Sequence, residues 1–107
     1  MGSHREIKLS ETIAHLAGDF FARESNGQSL VTVTRADVSS DLKTVTVYLS
    51  VLPEKYEEAV LNFAKRKRTD FREYLKKNSV LRYLPTIDFT LDMGEKNRQK
   101  IDELTRR

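Results

Sequence analysis

The sequence predicts an α+β domain of two layers, in which a three-stranded sheet is covered by helices on one face. Two kinds of pattern support this fold class. Apolar residues recur at spacings of three and four near the N-terminus and again in the middle of the chain, as they do in amphipathic helices. Apolar and polar residues alternate in three short segments, as they do in half-buried strands. The predicted order is helix, strand, strand, helix, helix, strand and a final helix.

The first helix is predicted over residues 6–24, where the apolar side chains fall on one stripe. That stripe contains Leu9, Ile13, Leu16, Ala17, Phe20 and Phe21. Ser25-Asn26-Gly27 follows, and Asn26 or Gly27 suits the left-handed backbone conformation that ends a helix. Residues 1–4 resemble the remnant of an expression tag, so we leave them out of the fold prediction.

The first strand is predicted over residues 30–38, which are rich in Val and Thr. Val31 and Val33 are expected on one face of this strand, and Thr34 is expected on the other face. Residues 39–43 carry short polar side chains that bond the local backbone, which predicts a turn after the strand.

The second strand is predicted over residues 44–51, where the alternation is strict. Its core face is expected to carry Val45, Val47, Leu49 and Val51. The third strand is predicted over residues 87–91, because Pro85 rules out a continuing helix. We expect the first two strands to pair antiparallel, with helices on one side and water on the other.

The middle of the chain predicts two helices that meet at a bend. Pro53 suits the first turn of a helix, and the buried stripe that follows contains Tyr56, Val60, Leu61, Phe63 and Ala64. Four consecutive cations, Lys65-Arg66-Lys67-Arg68, repel one another in a regular helix, so we expect a break between Lys65 and Asp70. Thr69 with Asp70 is predicted to cap the new helix. This helix is expected to bury Phe71, Tyr74 and Leu75.

A single domain is expected over residues 5–93, because 107 residues with 38% apolar and 33% charged side chains suit one small core. Residues 94–107 predict a C-terminal helical tail whose few apolar anchors are chiefly Ile101 and Leu104. Neither an internal repeat nor a low-complexity linker indicates a second domain.

The composition excludes or disfavours several classes of function. There is no cysteine, which removes disulfides, thiolate nucleophiles and cysteine zinc sites and agrees with a cytoplasmic location. No apolar run approaches the ~18 residues that span a bilayer, so no membrane partner is predicted. His15 is interpreted as structural or solvated, and Asp41 as a turn former. No metal, cofactor or enzymatic activity is predicted, because the carboxylates lack a phosphate loop, metal-ligand spacing or a nucleophile–base motif.

The charge distribution is strongly uneven. Eight basic and two acidic residues lie between positions 65 and 82, so this segment carries +6 while the whole chain carries +3. Such a focus of charge indicates a face for a polyanion, although charge runs are also common on solvated surfaces. The candidate RNA-binding residues are Lys65, Arg66, Lys67, Arg68, Arg72, Lys76, Lys77 and Arg82.

Some of these candidates have a structural alternative. Arg72 and Arg82 lie beside apolar positions and could form ion pairs within the fold. Their potential partners are Asp41, Asp88 and Asp92. Arg35 is a weaker candidate for a second contact area. Tyr48 and Tyr83 could stack on bases, but packing in the core is the favoured interpretation.

Two stretches carry a resemblance to a known family. The first runs from Val38-Ser39-Ser40-Asp41-Leu42 to Val47-Tyr48-Leu49-Ser50-Val51-Leu52. The second contains Phe71-Arg72, Leu81-Arg82-Tyr83-Leu84-Pro85, Ile87-Asp88-Phe89 and Asp92. On these residues the sequence resembles the ribosome-binding factor A family, over nearly the whole chain after the tag remnant. The resemblance implies a type II KH-like domain with the order α-β-β-α-(bend)-α-β and a C-terminal helix.

The sequence departs from the family at the bend. The family usually has an Ala-x-Gly motif there, and the matching positions hold Lys67-Arg68-Thr69. The Gly-x-x-Gly loop with which ordinary KH domains clamp RNA is absent, as it is across the family, so that grip is not expected.

The resemblance implies a function in ribosome assembly. It implies a late maturation factor for the 30S subunit, contacting 16S ribosomal RNA near the decoding region, without catalytic activity. We expect it to be a monomer off the ribosome. Two alternatives remain at this stage: a protein-binding adaptor without direct RNA contact, which would use the sheet edge or the tail helix, and a small phosphoryl-transfer or hydrolytic enzyme, for which no site can be named.

Overall fold

The structure, a computed structural model, describes residues 4–24, 29–81 and 83–94. Its elements in chain order are α1 (His4–Glu24), β1 (Leu30–Val38), β2 (Thr44–Leu52), a 3-10 turn (Glu54–Tyr56), α2 (Glu57–Arg66), α3 (Arg68–Asn78) and β3 (Thr86–Leu91). This order confirms the predicted α+β fold class and its KH-like arrangement. The predicted end of the first helix at Ser25-Asn26-Gly27 and the predicted C-terminal helix lie outside the described residues.

The three strands form one sheet in the order β1-β2-β3. β1 and β2 pair antiparallel, from Leu30 opposite Leu52 to Val38 opposite Val45. β3 pairs parallel to β2, because α2 and α3 form the long crossover that a parallel connection requires. The predicted antiparallel pairing of the first two strands is confirmed. The third strand lies at an edge of the sheet, beside α2 and α3.

A β-bulge interrupts β1. The pairing register shifts between Val33 and Arg35, so Thr34 is an additional residue on this strand. The Thr34 hydroxyl donates to the Asp92 carboxylate at 2.6 Å, and the Arg35 Nε lies 3.9 Å from the same carboxylate. Thr34 thus lies on the polar side of the sheet, as predicted. The bulge itself was not predicted, and it places Arg35 on that side too.

The core lies between the sheet and the helices. Its buried side chains are Ile13, Ala17, Phe20, Phe21, Val45, Val47, Leu49, Ala64, Phe71, Leu75, Ile87 and Phe89. The predicted core face of β2 is confirmed, since Val51 is also buried. The stripe predicted for α2 is confirmed only in part: Ala64 is buried, whereas the other four members are half-buried. The difference arises because α2 packs chiefly on β3 at the sheet edge, where fewer neighbours cover it.

The turn between β1 and β2 confirms the interpretation of Asp41. Its carboxylate accepts hydrogen bonds from the Ser39 hydroxyl at 2.6 Å and from the Lys43 amide at 3.1 Å. These two bonds, the Ser39 bond first, lower the pKa of Asp41 from its ordinary value. Leu42 takes a left-handed conformation with φ of 61°, which completes the reversal of the chain.

Candidate nucleic-acid interface

The basic run lies at a joint between two helices. α2 ends at Arg66 and α3 begins at Arg68, with Lys67 between them at φ −92° and ψ 8°. The Lys67 amide donates to the carbonyl of Phe63 at 3.0 Å, and the Lys67 carbonyl accepts from the Phe71 amide at 2.8 Å. The first of these bonds links Lys67 to α2 and the second links it to α3, but Lys67 itself departs from the regular helical conformation. The predicted break between Lys65 and Asp70 is confirmed.

The predicted cap at Thr69 and Asp70 is wrong. α3 already begins at Arg68, and its N-cap residue Lys67 makes no side-chain capping bond. Asp70 instead binds the Lys67 ammonium at 3.3 Å. The reason is that the bond from the Phe71 amide to the Lys67 carbonyl places Thr69 and Asp70 inside the first turn of α3, so the helix does not begin at them.

Seven of the eight candidate cations lie on the described part of α2, the joint and α3, while Arg82 lies outside the described residues. All seven are exposed except Lys67, which is half-buried. Arg68, Arg72 and Lys76 are spaced by four residues, so they form one stripe along α3. Lys77 follows Lys76 and lies about 100° further around the helix axis. That Lys76 and Lys77 contribute to one RNA-binding face stays a prediction.

Among the described residues, only two of these seven cations have a carboxylate partner. Lys67 pairs with Asp70, and its ammonium lies 5.7 Å from the centre of the Phe63 ring. Arg68 Nη1 lies 3.7 Å from Asp88 Oδ1. In the chain as far as it is described, no ion pair involves Lys65, Arg66, Arg72, Lys76 or Lys77. Because like charges without partners repel, this arrangement stabilises a bound polyanion more than it stabilises the fold.

A depression of about 260 Å³ lies between the start of α3 and the start of β3. It is lined by Arg68, Thr69, Arg72, Thr86 and Ile87. Two guanidinium side chains thus border one concavity at the edge of the sheet. The two threonines were not predicted as part of the site, because nothing in the local sequence indicates that residues 69 and 86 meet.

Among the described residues, Arg72 forms none of the ion pairs proposed as its alternative. Asp88 contacts Arg68, Asp92 contacts Arg35, and Asp41 is engaged by the turn. The structural alternative is therefore wrong for Arg72, because the crossing of α3 over β3 brings Arg68 to Asp88 first. For Arg82 it lies outside the described residues.

The open face of the sheet is a poorer candidate for contact with phosphates. The Arg35 guanidinium lies 4.1 Å from the centre of the Tyr48 ring and pairs with Asp37 at 3.5 Å and with Asp92 at 3.9 Å. Two carboxylates therefore neutralise the Arg35 guanidinium.

The prediction that Tyr83 packs in the core is wrong: its side chain is 86% exposed, because Pro85 fills the buried position in the connection to β3.

The described residues offer little support for other kinds of site. They contain no group of His, Cys, Asp or Glu side chains placed to hold a metal ion. His15 is exposed, as the solvated interpretation predicted, and its Nε2 lies 3.5 Å from Asp19 on the next turn of α1. None of the helices described has the length and apolar character to cross a membrane.

Comparison with known proteins identifies the family. The family model described as ribosome-binding factor A matches residues 5–105. The chain belongs to the ribosome-binding factor A family. The ribosome-binding factor A of Nitrobacter winogradskyi is 30% identical over 113 residues, which cover 98% of this chain and 80% of that protein. The resemblance stated from the sequence is thereby confirmed.

Structures of ribosome-binding factor A superpose on this chain. The crystal structure of ribosome-binding factor A from Thermus thermophilus superposes with a TM-score of 0.71 and 21% identity, covering 80% of this chain and 94% of that chain. A homology model of the Thermus thermophilus protein, fitted into a cryo-EM map of a 30S–RbfA complex, superposes with a TM-score of 0.67 and 23% identity, covering 85% and 94%. At these identities the likeness concerns the fold.

Proposed function

We propose that this chain binds the 30S ribosomal subunit by contacting 16S rRNA and acts as a non-enzymatic factor in assembly of the subunit. The contact is made through the basic surface, which we define as the exposed cations around the joint: Lys65, Arg66, Arg68, Arg72 and Lys76. Residues 5–93 form the binding domain and residues 94–107 its tail, and the protein acts in the cytoplasm as a monomer when off the ribosome. Lys67, Lys77 and Arg82 are secondary contacts.

This proposal rests on the group of exposed cations that have no carboxylate partner among the described residues. The chain that carries them belongs to the ribosome-binding factor A family. Cations that already form ion pairs must give them up to bind phosphate, whereas Lys65, Arg66, Arg72 and Lys76 have none to lose among the described residues. The family name and the 30S complex of the Thermus protein indicate the polyanion. Without a Gly-x-x-Gly loop, we expect contacts to phosphates rather than a grip on single bases.

The test reverses three cations of the basic surface. The variant combines Lys65→Glu, Arg72→Glu and Lys76→Glu, none of which removes a described ion pair. The matched control combines Arg5→Glu, Lys8→Glu and Lys55→Glu, which changes the net charge equally at exposed positions outside the surface. Affinity for purified 30S subunits is measured by co-sedimentation at graded salt, and the melting temperature of each variant is measured alongside.

We expect the first variant to bind at least about tenfold more weakly, with a nearly unchanged melting temperature, because exposed charges contribute little to stability. If four to six phosphates are contacted, the log–log salt slope of the parent is roughly −3 to −5, and the variant's slope is smaller by about 2 to 3. The control retains most of the affinity. Wild-type affinity in the folded first variant would refute the basic surface as the contact, and salt-insensitive binding would favour the protein-binding adaptor.

A further inference from the structure

The ion pair between Arg68 and Asp88 joins α3 to β3, and Arg68 also lines the depression between these two elements. Asp88 lies on β3, and its Oδ1 accepts a hydrogen bond from the Phe89 amide at 2.9 Å. The same oxygen lies 3.7 Å from Arg68 Nη1, and both side chains are 51% exposed. The carboxylate is therefore held in place by the strand, next to the guanidinium and in contact with solvent.

This ion pair is loose. The separation of 3.7 Å exceeds the roughly 2.7–3.2 Å of an N–H···O hydrogen bond, so the contact is Coulombic only. The Arg68 Nε donates to the Lys65 carbonyl at 3.2 Å, which orients the guanidinium. Its remaining N–H groups are left for another acceptor. A planar guanidinium binds a phosphate with two parallel hydrogen bonds, which is a better fit than the present contact.

The surroundings favour a phosphate at this place. Arg72 lines the same depression and has no carboxylate partner among the described residues, so an anion there meets two guanidinium groups. Among the described residues, Asp88 is the carboxylate that pairs with Arg68, and it repels any anion that approaches that side chain.

We propose that Asp88 competes internally with RNA: in the free protein its carboxylate holds Arg68, and a phosphate of the bound RNA replaces it. Asp88 thereby weakens binding and speeds release. This inference rests on the proposed function, because it assigns the phosphate to the RNA bound at the basic surface. In this proposal Asp88 sets the affinity of the basic surface for RNA, although the charge of Asp88 is opposite to that of the surface.

The test is a double-mutant cycle on 30S binding at fixed, low salt. Asp88→Asn removes the charge and keeps an oxygen that accepts from the Phe89 amide. Arg68→Ala removes the partner, and the double variant closes the cycle. Glu73→Gln on α3 is the control for a general gain from losing one negative charge near the cations. Melting temperatures establish that each variant is folded.

We expect Asp88→Asn to tighten binding by about two- to fivefold, the size of effect that exposed ion pairs have. We expect Glu73→Gln to give a smaller gain. In the Arg68→Ala background, Asp88→Asn should give no more than the Glu73→Gln gain, because the guanidinium for which it competes is gone. An equal gain with and without Arg68, or no gain at all, would overturn the inference while leaving RNA binding by the basic surface intact. If the parent protein does not bind 30S subunits, the proposed function fails, and this inference fails with it.

Discussion

Phe71 joins three elements of the fold, and its replacement by alanine tests the packing that positions α3. The side chain is fully buried. Its ring centre lies 5.3 Å from that of Phe20 on α1 and 5.7 Å from that of Phe89 on β3. The ring therefore holds the helix that carries Arg68 and Arg72 against both the first helix and the edge strand.

The expected cost follows from these contacts. Replacing a buried Phe by Ala removes about 3–5 kcal/mol of unfolding free energy, depending on how far the cavity collapses. Here the neighbours come from separate elements that are braced by other contacts, so collapse is limited and we expect a loss of about 4 kcal/mol. The matched control, Phe71→Leu, keeps much of the apolar volume but loses both ring contacts, and we expect it to cost about 1–2 kcal/mol.

The assay is urea unfolding followed by circular dichroism, with linear extrapolation to water. A small domain has roughly 5–15 kcal/mol in total, so the alanine variant is expected to remain folded at low temperature but to unfold at much lower urea. An alanine variant that loses less than about 2 kcal/mol with an unchanged m-value would refute the packing described for Phe71. So would a leucine variant that costs as much as the alanine variant.

Two further predictions concern the sheet and its turn. Val47→Asp places an unpaired charge in the core and should cost at least about 3 kcal/mol; a variant that melts within a degree or two of the parent would show that Val47 does not face the core. Ser39→Ala removes the main bond that lowers the Asp41 pKa, so an NMR titration should find this pKa raised. A pKa that is lower in the folded state than in the unfolded state stabilises the fold at pH values above the unfolded-state pKa, and this stabilisation is lost as the pH falls through the folded-state pKa. The alanine variant should therefore be less stable at neutral pH, and its stability should depend less on pH in the acidic range. An unchanged Asp41 pKa in this variant would contradict the turn geometry.

The strands could be predicted almost to the residue because alternation is a local signal. The β2 core face is one example, since every second residue from Val45 to Val51 is apolar and buried. The bulge in β1 could not be predicted, because it arises from the pairing with β2 and from the bond between Thr34 and Asp92, which are 58 residues apart. The parallel pairing of β3 likewise depends on how the helices cross the sheet.

The candidate site was predictable in composition but not in arrangement. Charge counting identified the segment with the basic surface. It could not show that Arg68 contacts Asp88 while Arg72 has no carboxylate partner among the described residues, because the two arginines are one turn apart on α3 and either could face β3.

The joint at Lys67 has a consequence for how this family member can vary. Its backbone, at φ −92° and ψ 8°, has a negative φ and does not call for glycine, although the bond from its amide to the Phe63 carbonyl excludes proline. The backbone conformation therefore does not explain the small residues of the family's Ala-x-Gly motif, which leaves the space between the helices as their reason. In this chain the same positions hold the larger residues Lys67, Arg68 and Thr69. Exchanges of charged side chains at residues 67–69 therefore change the attraction to a polyanion more than they change the path of the chain. Under the proposed function, the joint is a place where affinity for RNA can vary with little effect on folding.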